Sequence, residues 1–317
     1  DSISRTLGSS PRNKPEKAGQ YLHLVGAHAN LITAAMFLTG MAANPLVSKA
    51  AFDIFEIQFD WFTWAKGGIV PGLIGLTGLP LLINYISTPT IDSIQPIREK
   101  IQEDIQSLGP WTRQEIITAC TLGVMLILWS TKPFHGWGTT TVAFLGLVII
   151  LLTRTLTWDQ LVKNHKAWDA LIWLGGLLTL ATGLKDLGFI GWFGNLIGNG
   201  LTGISPIMLL IALTLIYFYS MYFFSMLTAH IVALVGTIFL VASGVGLNPF
   251  LVVGVMAYFS NLCGCLTNYS TGPVIIYFGN GYVQPLAWFR IGFIVSIYHL
   301  VVWLGIGSIW WKMIGWW

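Results

Sequence analysis

The stretch Asn261–Val283 reads NLCGCLTNYSTGPVIIYFGNGYV, and its position decides how the rest is read. It lies in the most apolar part of the chain. Between Asp186 and Lys312 the only Asp, Glu, Lys or Arg is Arg290. Yet the stretch gathers hydroxyls, side-chain amides, glycines and a proline. Backbone that leaves helical geometry inside a membrane has to be buried in protein or line a wet cavity. Asn261, Gly264, Gly272 and Pro273 force such a departure. A helix, an unwound stretch and a second half-helix are therefore expected over residues 248–283.

Composition places the chain in a bilayer. Of its 317 residues 55% are hydrophobic and 9% charged, whereas a soluble domain carries about 25% charged residues. The mean hydropathy is +0.71. A net charge of +3 is too small and too scattered for a nucleic-acid partner. Fifteen Trp and ten Tyr suit two interfacial belts. The three cysteines form no disulfide framework, and Cys263-Gly-Cys265 lacks the second ligand pair of a metal site. No metal and no cofactor is expected.

Crossing about 30 Å of hydrocarbon takes roughly 20 residues. Candidate runs are 21–46, 65–87, 116–132, 137–153, 167–184, 205–246, 248–283 and 286–311. The run 205–246 is too long for one crossing and has Ser220, Ser225, Thr228 and His230 in its middle, which reads as a re-entrant hairpin. Residues 1–20 read as a polar loop left by truncation. Residues 88–115, TIDSIQPIREKIQEDIQSLGPWTRQE with its flanks, suit an amphipathic linker on the membrane surface. Gly188–Gly200 reads as a second interfacial segment, and the closing IWWKMIGWW as an interfacial anchor.

FLTGMAANPL (37–46) and CLTNYSTGPV (265–274) share a pattern: a Leu-Thr pair, then Pro45 or Pro273, then one more span. Interrupted helices at corresponding places in two halves are a sequence pointer to a transporter binding site. The chain then divides into the end of a first repeat (21–87), the linker (88–115) and a second repeat (116–317). About 160 residues separate Trp111 from Pro273, so equivalent halves imply on the order of 120 residues missing before Pro45.

No span holds a central Asp or Glu, which leaves a cationic substrate or a carboxylate proton relay without a partner. Thr and Ser hydroxyls, Asn amides and the N–H groups of half-helix N-termini suit an anion such as a carboxylate. Small polar residues also simply pack membrane helices together. His299 is assigned to packing. For His230, beside the hairpin tip, packing and function weigh equally.

These motifs resemble the divalent anion/sodium symporter family. The motifs are MFLTGMAANPL (36–46), WDALIWLGGLLTLATGL (168–184), YFFSMLTAHIVAL (222–234), SNLCGCLTNYSTGPVIIYFGNGYV (260–283) and the closing VVWLGIGSIWWKMIGWW. The sequence looks most similar to the branch of plastid 2-oxoglutarate/malate translocators and bacterial citrate/succinate-type dicarboxylate exchangers. The resemblance implies an all-α polytopic membrane protein. It also implies two inverted repeats, each with a re-entrant hairpin and a broken helix, and a homodimer working by an elevator motion. One wall of the substrate site would come from Thr39, Asn44 and Pro45. The other would come from Ser225, Thr228, Thr267, Asn268, Ser270, Thr271, Gly272 and Pro273. At the hairpin tip Met226-Leu227 stand where sodium-coupled members carry Ser-Asn, which implies exchange without sodium. Asn268 stands where that branch usually carries His, which leaves the preference among dicarboxylates open.

The expected activity is exchange of C4–C5 dicarboxylates across a plastid inner envelope or a bacterial inner membrane. The alternatives are a sodium-coupled di- or tricarboxylate symporter and a dicarboxylate-binding membrane protein that moves no solute. An intramembrane enzyme would need an acid–base pair or a metal set, and the spans offer scattered His and Ser without carboxylates.

Overall fold

The computed structural model describes residues 1–165 apart from 12, 92 and 94, a few isolated positions between 168 and 192, and residues 205–317 apart from 245. The expected run 167–184 and the segment Gly188–Gly200 lie almost wholly outside the described residues. Every described element is helical. The first half carries α1 (Ser2–Thr6), α2 (Gly19–Met36), α3 (Asn44–Phe55) and α4 (Trp61–Ile86). The middle carries α5 (Gln95–Leu108), α6 (Arg113–Ser130), α7 (Lys132–His135), α8 (Thr139–Leu152) and α9 (Trp158–Val162). After residue 205 come α10 (Pro206–Ser220), α11 (Leu227–Ser243), α12 (Pro249–Leu262), α13 (Gly272–Gly279), α14 (Pro285–Leu300) and α15 (Gly307–Met313). A π-helical turn, Val301–Ile306, joins α14 to α15.

Four described helices are long and apolar enough to cross a membrane: Trp61–Ile86, Pro206–Phe223, Pro249–Leu266 and Pro285–Met313. The third is the axis of the fold. Every residue from Leu251 to Thr267 is buried, as a helix apolar on all sides should be. It lies against α2, α3, α10 and α11, while α2 packs on α4 and α11 on α3. Tyr258 of α12 reaches α4, donating its hydroxyl to the Trp64 carbonyl at 2.9 Å. Trp64 in turn donates Nε1–H to the Ala35 carbonyl at 2.7 Å, one of the free carbonyls at the end of α2.

Two of the four tryptophans of the expected interfacial anchor pack inside the protein, while Trp310 is half-buried and Trp317 exposed. Trp311 is fully buried and Trp316 nearly so; Trp311 stacks on Tyr258 at 5.7 Å. The cause lies in α4. Pro71 has no N–H, so the Gly67 carbonyl four residues earlier loses its helical partner. The Trp311 Nε1–H fills that place at 3.0 Å. Residues 1–18 also differ from a plain polar loop. They form α1 and a 3₁₀ turn at Pro15–Lys17. The Ser9 hydroxyl accepts from the Gly19 N–H and donates to the Lys14 carbonyl, and Tyr282 donates to Asp1 at 2.8 Å.

The linker holds α5, none of whose side chains is buried, with Ile97, Ile101, Ile105 and Leu108 on one stripe. Thr112 and Glu115 then form a capping box at the start of α6, the signal carried by TRQE. The pair α6–α8 is held to the first half by Lys132, which pairs with Asp60 at 3.1 Å. Trp61 also stacks on Trp129 at 6.3 Å. Burial opposes ionisation of Asp60. The Thr63 N–H and Lys132 outweigh it and hold the carboxyl below its usual range, so this is an ion pair at neutral pH.

Close approach of helices fixes Gly292, and Gly236 is its control. A Cβ on Gly292 of α14 would stand 2.2 Å from the Cys265 carbonyl oxygen, a backbone atom that cannot swing aside. Gly292→Ala should cost about 1–3 kcal/mol by overpacking. Gly236→Ala, in α11 with nothing within 4 Å of the new methyl, should be neutral or stabilising by up to about 1 kcal/mol from helix propensity. Thermal unfolding in detergent compares them, and equal melting temperatures would refute the close approach.

Candidate anion site

Three helices break, each for a local reason. The first break runs from the end of α2 to the start of α3. Phe37 and Met41 are extended on either side of a 3₁₀ turn, Leu38–Gly40. Gly40 is needed there, because a Cβ would stand 2.6 Å from the Ala34 carbonyl oxygen. Pro45, at the second position of α3, suits a helix start and not its interior. The second break is the hairpin tip: α10 ends in the 3₁₀ turn Met221–Phe223, and Phe224 and Met226 are extended before α11. The third follows α12 through the 3₁₀ turn Cys263–Leu266 and extended Thr267 to Gly272-Pro273 at the start of α13.

The shared sequence pattern has a shared local form. Leu38-Thr39 and Leu266-Thr267 both belong to or border a 3₁₀ turn. Pro45 and Pro273 both sit in the first turn of the next helix. A long helix follows each, α4 and α14.

Hydrogen bonds draw the breaks together. Asn261 donates Nδ2–H to Asn44 Oδ1 at 2.9 Å, linking the third break to the first across 217 residues of chain. Asn44 uses its own amide to cap the unwound end of α2, donating to the Ala34 and Phe37 carbonyls at 3.1 and 3.0 Å. The Leu227 N–H donates to the Ser270 carbonyl at 3.0 Å, fastening the hairpin tip to the third break. The Ser270 hydroxyl closes that break on itself, donating to the Gly264 carbonyl at 2.7 Å.

The expected site residues therefore separate into two groups. Asn44 and Ser270 are fully buried, and their polar atoms bond within the protein. Both hold the breaks in shape. Thr267 is fully buried as well, and its hydroxyl has no partner among the described residues. Thr39, Pro45, Ser225, Gly272 and Pro273 are exposed, while Thr228, Asn268 and Thr271 are half-buried. Thr39 accepts from Trp61 Nε1–H at 3.2 Å. It lines a groove of about 510 Å³ with Asn30, Thr33, Phe37 and Gly40. Pro45 lines a different groove, of about 440 Å³, with Ser48, Asp60 and Lys132. The first break thus presents two faces and not the single wall read from the sequence.

Thr271 has a role the sequence reading missed. Its hydroxyl accepts from the Val274 N–H at 3.2 Å, capping α13. The order Thr-Gly-Pro already carried that signal. Asn261 was read only as a helix breaker, and its partner could not be known without the fold. The starts of α3 and α11 have no side-chain cap; backbone carbonyls take part of their first turns, Met41 accepting from the Asn44 N–H and Ser270 from the Leu227 N–H. No Asp, Glu, Lys or Arg occurs in any of the three breaks (37–43, 221–226, 263–271). Cys263 and Cys265 are buried free thiols, and the described residues hold no group of three His, Cys, Asp or Glu.

Among the described residues the chain is helical and apolar, and hydrogen bonds tie its broken helices together, a build consistent with a membrane transporter. Residues 1–317 match the family described as "Sodium:sulfate symporter transmembrane region". The chain belongs to that family, the divalent anion/sodium symporters. It is 40% identical to "Putative malate transporter YflS" of Bacillus subtilis, over 100% of this chain and 66% of that protein. It is 38% identical to "Dicarboxylate transporter 1, chloroplastic" of Spinacia oleracea, over 95% of this chain and 53% of the relative. With "L-tartrate/succinate antiporter" of Escherichia coli it shares 31% identity, over 98% and 61%. The chain spans between about half and two thirds of the length of these relatives.

Proposed function

We propose that this chain is part of a secondary transporter that exchanges C4–C5 dicarboxylates of the malate, succinate and 2-oxoglutarate type. The observation that carries the reading is the meeting of three helix breaks at uncharged hydrogen-bond donors, in a family whose similar members bear malate, dicarboxylate and tartrate/succinate names. Hydroxyls, amides and helix N-termini stabilise a carboxylate through charge-assisted hydrogen bonds. A fixed arginine would hold a doubly charged substrate more firmly; neutral donors let it leave on the other side.

In this reading Ser225, Thr228, Asn268, Thr271, Gly272 and Pro273 face the substrate, with Thr39 offered from the first break. Asn44 and Ser270 hold the shape, and Thr267 is buried in the third break. The two break-and-hairpin units form inverted repeats, one body moves against a scaffold as an elevator, and the working unit is a homodimer. The membrane is a bacterial inner membrane or a plastid inner envelope.

Exchange is proposed to run without sodium. Met226, 51% exposed at the hairpin tip, offers a thioether where an alkali cation needs oxygen. The family description names sodium, so the alternative of sodium coupling rests on a specific observation. Labelled malate uptake into proteoliposomes preloaded with 2-oxoglutarate, in choline and in sodium buffer, decides between them. Equal rates are expected. A several-fold stimulation by sodium would show that backbone carbonyls suffice as ligands, and no uptake in either buffer would end the exchange reading.

A further inference from the structure

His230 lies two residues beyond Thr228 on α11 and is fully buried. Its ring nitrogens touch both other elements at this place. Nε2 stands 2.8 Å from the Ser220 hydroxyl at the end of α10. The same hydroxyl is within donating distance of the Tyr217 carbonyl at 2.8 Å, and when it donates there it accepts from the imidazole. In that arrangement Nε2 carries the hydrogen and Nδ1 is the acceptor. Nδ1 faces the Cys263 thiol at 3.9 Å, in the turn that opens the third break; that thiol also has the Ser260 carbonyl within reach at 3.6 Å. The ring is held by Tyr217 at 4.3 Å and Phe224 at 5.0 Å, and the Tyr217 hydroxyl meets the Ser260 hydroxyl of α12 at 2.7 Å.

We infer that His230 is a positioning residue for the substrate site: one imidazole that fixes the hairpin tip, Phe224–Thr228, against the third break. The inference rests on the exchange reading and deepens it. Two contacts fasten the tip to the break, the backbone bond from Leu227 to Ser270 and this side-chain bridge. The first fixes one point. The second sits about one turn away along α11 and fixes the angle. Without it the donors at Thr228 and at Asn268–Thr271 no longer keep one spacing. The population competent to bind falls, and apparent affinity falls with it. The rate at saturation is set by later steps and should change little. A histidine that merely fills an aromatic slot between Tyr217 and Phe224 makes the opposite forecast, since phenylalanine would fill it equally well.

Malate-dependent exchange in proteoliposomes, measured for wild type, His230→Phe, His230→Gln and Ser220→Ala, tests this. His230→Phe should raise the half-saturation constant about tenfold, the scale of a lost hydrogen bond, with maximal rate within about twofold. His230→Gln, whose amide can still donate toward Ser220, should recover to within about threefold. Ser220→Ala should resemble His230→Phe, and the double variant should add little, because both remove one bridge. An unchanged half-saturation constant for His230→Phe, equal damage from Gln and Phe, or a change in maximal rate alone overturns the inference. Should His230→Phe fail to reach the membrane, Ser220→Ala decides, and an unchanged constant there overturns it. Wild type that neither exchanges malate nor is stabilised by it against thermal unfolding overturns the exchange reading and this inference together. Active wild type with indifferent variants overturns this inference alone.

Discussion

Replacing Asn44 by leucine should cost the protein its fold before it costs it any substrate. The substitution removes the amide that satisfies the Ala34 and Phe37 carbonyls and the oxygen that receives Asn261. Each buried group left without a partner costs about 1–3 kcal/mol. In a membrane interior there is little water to replace the partner. Two orphaned carbonyls and a weakened Asn261 thus reach several kcal/mol, against a total stability of about 5–15 kcal/mol for a typical domain. Asn261→Leu should be milder, because it strips only one bond from Asn44 and leaves both carbonyls capped. Fluorescence-detected size exclusion with a thermal ramp reads the order: wild type, then Asn261→Leu, then Asn44→Leu, the last with little folded material. Wild-type stability in Asn44→Leu would mean that water reaches the first break, and Asn44 would return to the list of substrate contacts.

Thr271→Val is the second large effect, and it has two components. From the sequence, Thr271 reads as a substrate contact alone. The structure adds the cap: the same oxygen receives the Val274 N–H, and losing an N-cap costs about 0.5–2 kcal/mol. The hydroxyl hydrogen remains available to a carboxylate, a bond worth about 1.5–3 kcal/mol. Valine should therefore lower both the melting temperature and the affinity, the latter about ten- to a hundredfold. Thr271→Ser keeps the oxygen and should be close to wild type in both. Valine that loses stability while its half-saturation constant is unchanged would leave Thr271 as a cap and nothing more. Asn268→His is expected to change the preference among dicarboxylates more than the overall rate, because it keeps a donor.

The breaks were legible because glycine, proline and clustered hydroxyls are local signals. Gly40, Pro45, Gly272 and Pro273 mark helix boundaries through steric rules that need no fold. The direction each side chain takes is a tertiary matter. Asn44 turns inward because Asn261, far along the chain, supplies an amide that wants an oxygen. Thr39 and Pro45, six residues apart, come to line different grooves because the 3₁₀ turn rotates the chain between them. The C-terminal tryptophans were read as interfacial from composition, while Pro71 of α4 had already freed the carbonyl that draws Trp311 into the core. Residues 1–18 look polar, yet Tyr282, in the turn after α13, gives them a surface to close upon. The runs around 167–200 lie mostly outside the described residues, and those expectations stand as they were made.

Substrate is proposed to sit where the hairpin tip and the third break face each other, and cysteine protection tests that placement. Met226 is exposed at the tip and caps nothing through its side chain. Met226→Cys in a Cys120→Ser background places a reactive thiol there, with Cys263 and Cys265 buried. The full gene product carrying this pair of changes is reconstituted, and the rate of modification by a membrane-impermeant maleimide is followed as malate is raised. The account expects several-fold protection, half-complete at the malate concentration that half-saturates exchange. Exchange that saturates normally while the modification rate stays flat would place the substrate elsewhere and contradict the account.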